Sequence, residues 1–248
     1  MNISPETNYT VRSPAAATGN RLLASLPEAD LRHIQSLCEV VQVELGEQLY
    51  EPGQTIQYIY FPDDSLISLL AVAEGRMTLE VGSVGREGMI GSSVALGHEV
   101  AQVRAVVQRA GLASRIDSAD FCGEFRRMES LQRLLYRYTD TLLAQAIQIA
   151  VCSRFHVLEA RLARSLLITR DRLQSEQFHL THEFLAHALG VRRVGVTKAA
   201  SALQAQGLIS YSRGNIEILD SAGLEAVSCR CYELVKDTGS IGMGSVFL

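Results

Sequence analysis

No apolar run in the 248 residues reaches the roughly 18 that a membrane-spanning helix needs, because charges or glycine interrupt the longest ones. The first 30 residues lack the basic, apolar, small-residue order of a secretion signal, so a cytoplasmic location and no membrane partner are expected. Cysteine is scarce: five residues, an odd number without a dense framework, fit a reducing compartment and not a disulfide scaffold. Proline disappears after Pro62, its five copies all lying in the first quarter of the chain. No GxSxG, Walker A, HExxH, Rossmann fingerprint or C-x-x-C occurs, so neither an enzyme nor a bound cofactor or metal is expected.

What remains is 47% hydrophobic and 20% charged, the composition of one large or two modest packed domains. The net charge of −4 argues against a nucleic-acid partner until it is divided along the chain. Residues 1–152 carry 12 Arg against 18 acids, whereas residues 153–214 carry 8 Arg and 1 Lys against 4 acids, a local +5. A basic block inside an acidic chain is the footprint of a phosphate-binding module beside something that is not one.

The stretch to about Gly19 is polar and aperiodic and reads as a flexible tail. Asn20 can cap a short helix carrying Leu22, Leu23 and Leu26, and Pro27 opens a second, to Cys38. From Val40 to about Ile116, short alternating or apolar runs recur at intervals of about 8–12 residues with glycines between them, which predicts antiparallel β structure closed as a sandwich or barrel. Ser118 is a candidate cap for a helix around Asp120–Arg126. Next, Glu129–Cys152 has neither Gly nor Pro, and Leu131, Leu135, Tyr138, Leu142, Gln145 and Ile149 repeat at a 4-3 spacing. Leu134, Leu143, Ile147 and Val151 form a second apolar flank, so one flank can meet the β domain and the other a copy of the helix. The repeating seam is assigned to dimerisation, its polar Gln145 suiting a pairing helix that needs a fixed register. Ser153–Arg172 reads as a further helix, with a domain boundary near Ser153.

The most informative segment is THEFLAHALGVRRVGVTKAASAL, Thr181–Leu203. Thr181 can cap a first helix, Ala186 allows close crossing, and Gly190 can reverse the chain, the arrangement a helix-turn-helix requires. A second helix, about Arg192–Gln204, then presents Arg192, Arg193, Thr197, Lys198 and Ser201, side chains able to read base edges or hold phosphates. Gly207–Tyr211 and Asn215–Leu219 read as two strands joined by Ser212-Arg213-Gly214, a wing whose Arg213 is a further candidate contact. His179, His182 and Glu183 are explained as polar neighbours of the Thr181 cap.

A β region, a long helix, and LGVRRVGVTKAASALQAQGLI with its wing, over roughly residues 20–228, resemble the Crp/Fnr family of transcription regulators. That resemblance implies an α+β chain with an N-terminal antiparallel β-roll of the cyclic-nucleotide-binding type at 20–128, a dimerisation helix at 129–152 and a winged helix-turn-helix at 153–248. It further implies a homodimer that binds double-stranded DNA at a palindromic promoter site, and RNA polymerase as a partner. Arg193 and Lys198 fall where the family's basic contacts sit. Val194 replaces the Glu of the cyclic-AMP-responsive members, so a different target sequence is expected.

In cyclic-AMP binders of this type, a Gly-Glu pair holds the ribose and an Arg-Ser pair the phosphate. Here Gly91 is followed by Ser92, and Glu99-Val100 stand in place of Arg-Ser. An acidic group facing a cyclic phosphate weakens binding, so ordinary cyclic-AMP binding is not expected. Arg86, Gly91, Ser92 and Arg104 remain as a candidate pocket for an unidentified small-molecule effector. A single N-terminal cysteine, Cys38, does not furnish an iron–sulfur ligand set. Cys229-Arg230-Cys231 alone is a weak metal or redox signal. The competing reading is a ligand-binding signalling module whose helical tail docks a protein instead of DNA.

Overall fold

The structure, a computed structural model, describes residues 19–73 and 77–234. The tail expected before Gly19 lies outside them. Asn20 caps α1 (Arg21–Ala24) by accepting from the Leu23 N–H at 3.0 Å, while its buried side-chain amide donates to the carbonyls of Pro62 and Gly88. One residue thus starts the helix and clips it to two loops. α2 (Glu28–Leu37) follows and buries Ile34.

Seven strands come next: β1 (Glu39–Val43), β2 (Gln48–Tyr50), β3 (Tyr58–Pro62), β4 (Leu66–Val72), β5 (Thr78–Val84), β6 (Arg104–Arg109) and β7 (Gly111–Asp117). They form two antiparallel sheets, ordered β1-β7-β3 and β2-β6-β4-β5. The alternation visible in the sequence sets their inward faces: Val41 and Val43 are buried with Gln42 exposed between them. Between β5 and β6 lies a 3-10 turn, Ser92–Leu96. The core between the sheets centres on Ile59, Phe61, Ile67, Ile116 and Phe121.

α3 (Ser118–Arg127) is capped one residue earlier than expected: Asp117, not Ser118, accepts from the backbone N–H of Ala119 at 2.8 Å. A carboxylate is the stronger acceptor, and its charge also faces the positive end of the helix. α4 then runs unbroken over Glu129–Phe155, past the expected end at Cys152. His156 and Val157 leave helical geometry before α5 (Leu158–Leu173), which starts later than the expected Ser153.

The α4 seam faces its own β-roll over much of its length. Leu131, Leu135 and Tyr138 are buried in the roll core of their own protomer, and Leu142 packs against it. Ile149 is buried further along, and Gln145 lines the gap between α4, β5 and α5 with Glu80 and Arg172. Leu131, Leu135, Tyr138 and Ile149 are thus buried within the single chain, while Leu142 and Gln145 remain partly exposed. Of the second flank, Leu134 joins the roll core, but Leu143, Ile147 and Val151 stay exposed, as does Tyr136.

The C-terminal part contains β8 (Gln177–His179), α6 (His182–Leu189), α7 (Arg193–Ala205), β9 (Ile209–Ser212), β10 (Asn215–Ile218) and α8 (Ser221–Val227). The wing has three strands, ordered β8-β10-β9, one more than the two expected. β8 is only three residues long, too short for its period to show in the sequence. A second core, separate from the first, joins Leu162, Leu166 and Leu167 of α5 to Leu185, Val196, Leu203 and Ile216. The two parts meet at β5. The Thr78 hydroxyl donates to the His187 carbonyl at 3.1 Å, and Arg172 pairs with Glu87 at 2.8 Å and donates to the Ser83 hydroxyl.

Candidate nucleic-acid interface

α6 begins as expected, with the Thr181 hydroxyl accepting from the Phe184 N–H at 3.1 Å. It ends at Gly190, whose φ of 63° is left-handed, and Val191 N–H donates to the Ala186 carbonyl at 3.0 Å. That six-to-one bond with a left-handed glycine is a Schellman stop. A side chain at Gly190 would be strained by φ and would place its Cβ 3.2 Å from Leu79 of the roll.

The chain re-enters helix at Arg193. Val196, Ala199, Ala200 and Leu203 form the buried face of α7. The 3.6-residue period therefore throws Arg193, Thr197 and Ser201 onto one exposed row and Val194 and Lys198 onto the next. Arg192, just before the first turn, is exposed, and so is Arg213 at the tip of the wing. Arg213 (φ 50°) and Gly214 (φ 88°) both take left-handed geometry, a tight hairpin turn that points the Arg213 side chain away from the domain. Among the described residues no ion pair occupies Arg192, Arg193, Lys198 or Arg213. The structure thus brings the helix candidates onto one solvent-facing surface, with four cations not neutralised by the protein.

Thr197 differs from its neighbours. Its hydroxyl is 3.1 Å from the Arg193 carbonyl and 3.0 Å from Nδ1 of His182. The His182 ring in turn stacks on Tyr211 of β9, with centroids 4.0 Å apart and planes at 11°. Burial, and then the charge of Arg193, holds the His182 imidazole below its ordinary pKa, which keeps it neutral. His182 therefore ties α6, α7 and the wing together. The sequence placed it only beside a cap, because a stack across 29 positions leaves no local signal.

The candidate effector residues meet different partners. The Arg104 guanidinium sits 2.6 Å from the Glu51 carboxylate, and the Arg86 carbonyl accepts from Arg21 N–H at the start of α1. Gly91 and Ser92 open the 3-10 turn, where a Cβ on Gly91 would lie 2.8 Å from Ile59 and 3.1 Å from the Tyr50 hydroxyl. The Tyr138 hydroxyl reaches in from α4, accepting from Met89 N–H at 3.0 Å and donating to the Met89 carbonyl at 2.9 Å. None of the polar side chains of Arg86, Ser92 and Arg104 is bonded to another.

In the sequence, Cys229 and Cys231 stand alone as a weak metal signal; the fold gives them neighbours. It adds Cys152 and His156 from the end of α4, so that four ligand atoms lie within 4.8 Å of one another. The hydrogen bond between Cys152 and Cys229 holds the Cys152 thiol below its ordinary pKa and pushes the Cys229 thiol up.

Residues 160–227 match the Crp-like helix-turn-helix domain. No curated protein matches the chain in sequence. Among solved structures, the c-di-GMP-responsive global regulator CLP of Xanthomonas campestris aligns at a TM-score of 0.66 with 14% identity, covering 77% of this chain and 99% of its own. FixK2 of Bradyrhizobium japonicum aligns at 0.65 with 13% identity, over 77% and 98%. A Crp/Fnr-family transcriptional regulator of Thermus thermophilus aligns at 0.64 with 24% identity, over 77% and 98%. Residues 160–227 therefore carry a Crp-like helix-turn-helix domain, and the chain shares the fold of the solved Crp/Fnr-type regulators.

Proposed function

We propose that the protein acts as a homodimer, that it binds a palindromic promoter site through α7 and the wing, and that its roll takes no cyclic AMP. The observation that carries the DNA contacts is the set of unneutralised cations Arg192, Arg193 and Lys198 at α7, beside Ser201, with Arg213 at the wing tip; the Schellman turn at Gly190 joins α6 to α7. α7 has 13 residues, about 20 Å of helix, enough for its N-terminal half to enter a major groove. Arg193 is the expected base reader and Lys198 the expected phosphate contact. Thr197, already bonded to His182, acts by holding Arg193's turn in place.

Dimerisation is supported by the exposed stripe Tyr136, Leu143, Ile147 and Val151 on α4, which replaces the buried seam as the pairing face. The absence of cyclic-AMP binding is supported by Ser92, Glu99 and Val100 in place of Glu, Arg and Ser, and by the ion pair that already engages Arg104. The two cores support a division into a sensor roll at 20–128, a connecting helix and a winged-helix domain from about 153. Such a regulator is also expected to meet RNA polymerase and to work in the cytoplasm.

The test is selection of fragmented source-genome DNA by the ligand-free protein, followed by a salt titration of the enriched site. The expected outcome is a palindromic motif whose log affinity falls with log salt at a slope of about −0.9 per phosphate contact. A folded dimer that enriches no motif, alone or with a panel of nucleotides, would instead favour the protein-docking module.

A further inference from the structure

Where α4 ends, its last turn and the segment after α8 converge on a cluster that belongs to neither core. Cys152 lies in the last turn of α4 and His156 caps the helix end, its N–H bonded to the Cys152 carbonyl; Cys229 and Cys231 approach from the far end of the winged-helix domain. The Cys152 and Cys229 sulfurs are 3.5 Å apart, and the Cys231 sulfur is 3.3 Å from Nδ1 of His156. All three cysteines are buried, while His156 is half-buried at the edge.

Ordinary packing does not explain this convergence. Buried cysteines that serve as small apolar fillers disperse among aliphatic side chains. Here three sulfurs and a ring nitrogen lie close together, with Ala160 the one partly buried hydrophobic packed against them among the described residues. A tetrahedral ion with bonds of about 2.3 Å to sulfur and about 2.0 Å to nitrogen sets its ligand atoms about 3.5–3.8 Å apart. The closest contacts, 3.3 and 3.5 Å, and the outer limit of 4.8 Å bracket that spacing. An iron–sulfur cluster divides its protein ligands among two or four irons, spreading them over the cluster, whereas these four atoms converge as on a single ion.

The surroundings suit such an ion. Three thiolates and a neutral imidazole around a divalent cation leave one net negative charge. Arg161 and Arg164 both lie within electrostatic reach of Cys152, and Arg164 is buried with Nε and Nη1 lacking any hydrogen-bond partner. Gln148, one turn before Cys152, donates its side-chain N–H to the Cys231 sulfur at 2.8 Å, the kind of outer contact that orients a metal-bound thiolate.

We propose that Cys152, His156, Cys229 and Cys231 form a structural zinc site, one ion per protomer, that fastens the end of α4 to the end of the winged-helix domain. Binding releases the protons of whichever thiols are protonated, up to three, to solvent. No open coordination position remains, so the ion acts as a staple and not as a Lewis acid. The inference rests on the cluster alone and stands whether or not the protein binds DNA.

The test uses the full-length protein, purified under reducing conditions without chelators and assayed for metal by mass spectrometry. About one zinc per protomer is expected, falling below about 0.2 in Cys231→Ser and in Cys229→Ser and unchanged in Cys38→Ser and Cys122→Ser. Reconstitution with Co(II) should give thiolate charge-transfer absorption and the visible bands of a tetrahedral site. Should a cysteine variant fail to fold, a mercurial titration of the wild-type protein keeps the measurement decisive, since thiol modification should release the zinc stoichiometrically into a chromogenic chelator. Three results overturn the proposal. They are reduced wild-type protein that takes up neither Zn(II) nor Co(II), zinc retained in the folded Cys229→Ser variant, and a Cys152–Cys229 disulfide as the state of anaerobically purified protein.

Discussion

Tyr138→Phe tests how α4 is held to the roll. Tyr138 is buried, and its hydroxyl satisfies both backbone groups of Met89, itself 1% exposed. Phenylalanine keeps the ring packing but strands a buried N–H and a buried carbonyl, each of which costs about 1–3 kcal/mol. The carbonyl has a second lone pair and is the cheaper to leave, so a loss of about 2–4 kcal/mol is expected. For a chain of this size, that lowers the thermal midpoint by roughly 5–15 °C. A Cβ added at Gly88 would stand 2.4 Å from the Tyr138 oxygen and 2.9 Å from two ring carbons. Gly88→Ala should therefore destabilise strongly alone and less so beside Tyr138→Phe, by at least about 1 kcal/mol of non-additivity. Urea unfolding of the four proteins, followed by circular dichroism, closes the cycle. Tyr138→Phe within about 0.5 kcal/mol of wild type, or strict additivity, would refute the claim that this hydroxyl joins helix to roll.

Three further outcomes follow from the geometry. Ile147→Asp places a charge on the exposed stripe of α4 and should turn a dimer into a monomer by light scattering, whereas Leu135→Ala, in the roll core, should cost about 2–5 kcal/mol of stability with the dimer intact. The reverse pattern would return dimerisation to the buried seam. Arg193→Ala should cost about 1–3 kcal/mol per half-site and flatten base preference at one position, while Lys198→Ala weakens all sequences alike and lowers the salt slope; equal effects of both on every sequence would remove Arg193 from base reading. His182 is held below its ordinary pKa, so the unfolded chain binds the proton more readily. The stack's contribution is full above about pH 6.5 and declines as pH falls through that value. Comparing wild type with His182→Gln at pH 7.5 and 5.5 should show the wild-type advantage shrinking, and an advantage independent of pH would contradict the shift.

Local signals carried most of the fold. Alternation in Val41–Val43, the glycine-punctuated runs, and the Thr181 cap and Gly190 stop each depend on neighbours within a few residues, and the structure places each as its pattern requires. The helix-turn-helix was legible for the same reason, since one period fixes its buried face and hence its exposed one. Which flank of α4 faces inward was not legible. Both flanks are apolar at helical spacing, and only the position of the roll, with Met89 waiting for Tyr138, decides between them. The metal-ligand set was hidden by distance, because Cys152 and Cys229 are 77 positions apart and neither pair of ligands is diagnostic by itself.

These joins also limit how any effector could act. The winged-helix domain is held to its own roll at β5, through Thr78 to His187 and through Arg172 to Glu87 and Ser83. Gly190, which sets the angle between α6 and α7, lies directly over Leu79 of the same strand. A change in the roll that moves β5 would reach α7 through these contacts without passing along α4. Tyr138 provides the second route, because Met89 immediately precedes Ile90 and the 3-10 turn and is bonded to the helix that carries the exposed stripe. A ligand can shift this arrangement only by binding one geometry of the two joins more tightly than another. Loosening β5 should change the placement of α7 within a protomer, and disturbing Met89 should change the pairing of α4 between protomers. Thr78→Val should accordingly alter DNA affinity with the dimer preserved, separating the two routes by a single binding titration at fixed oligomeric state.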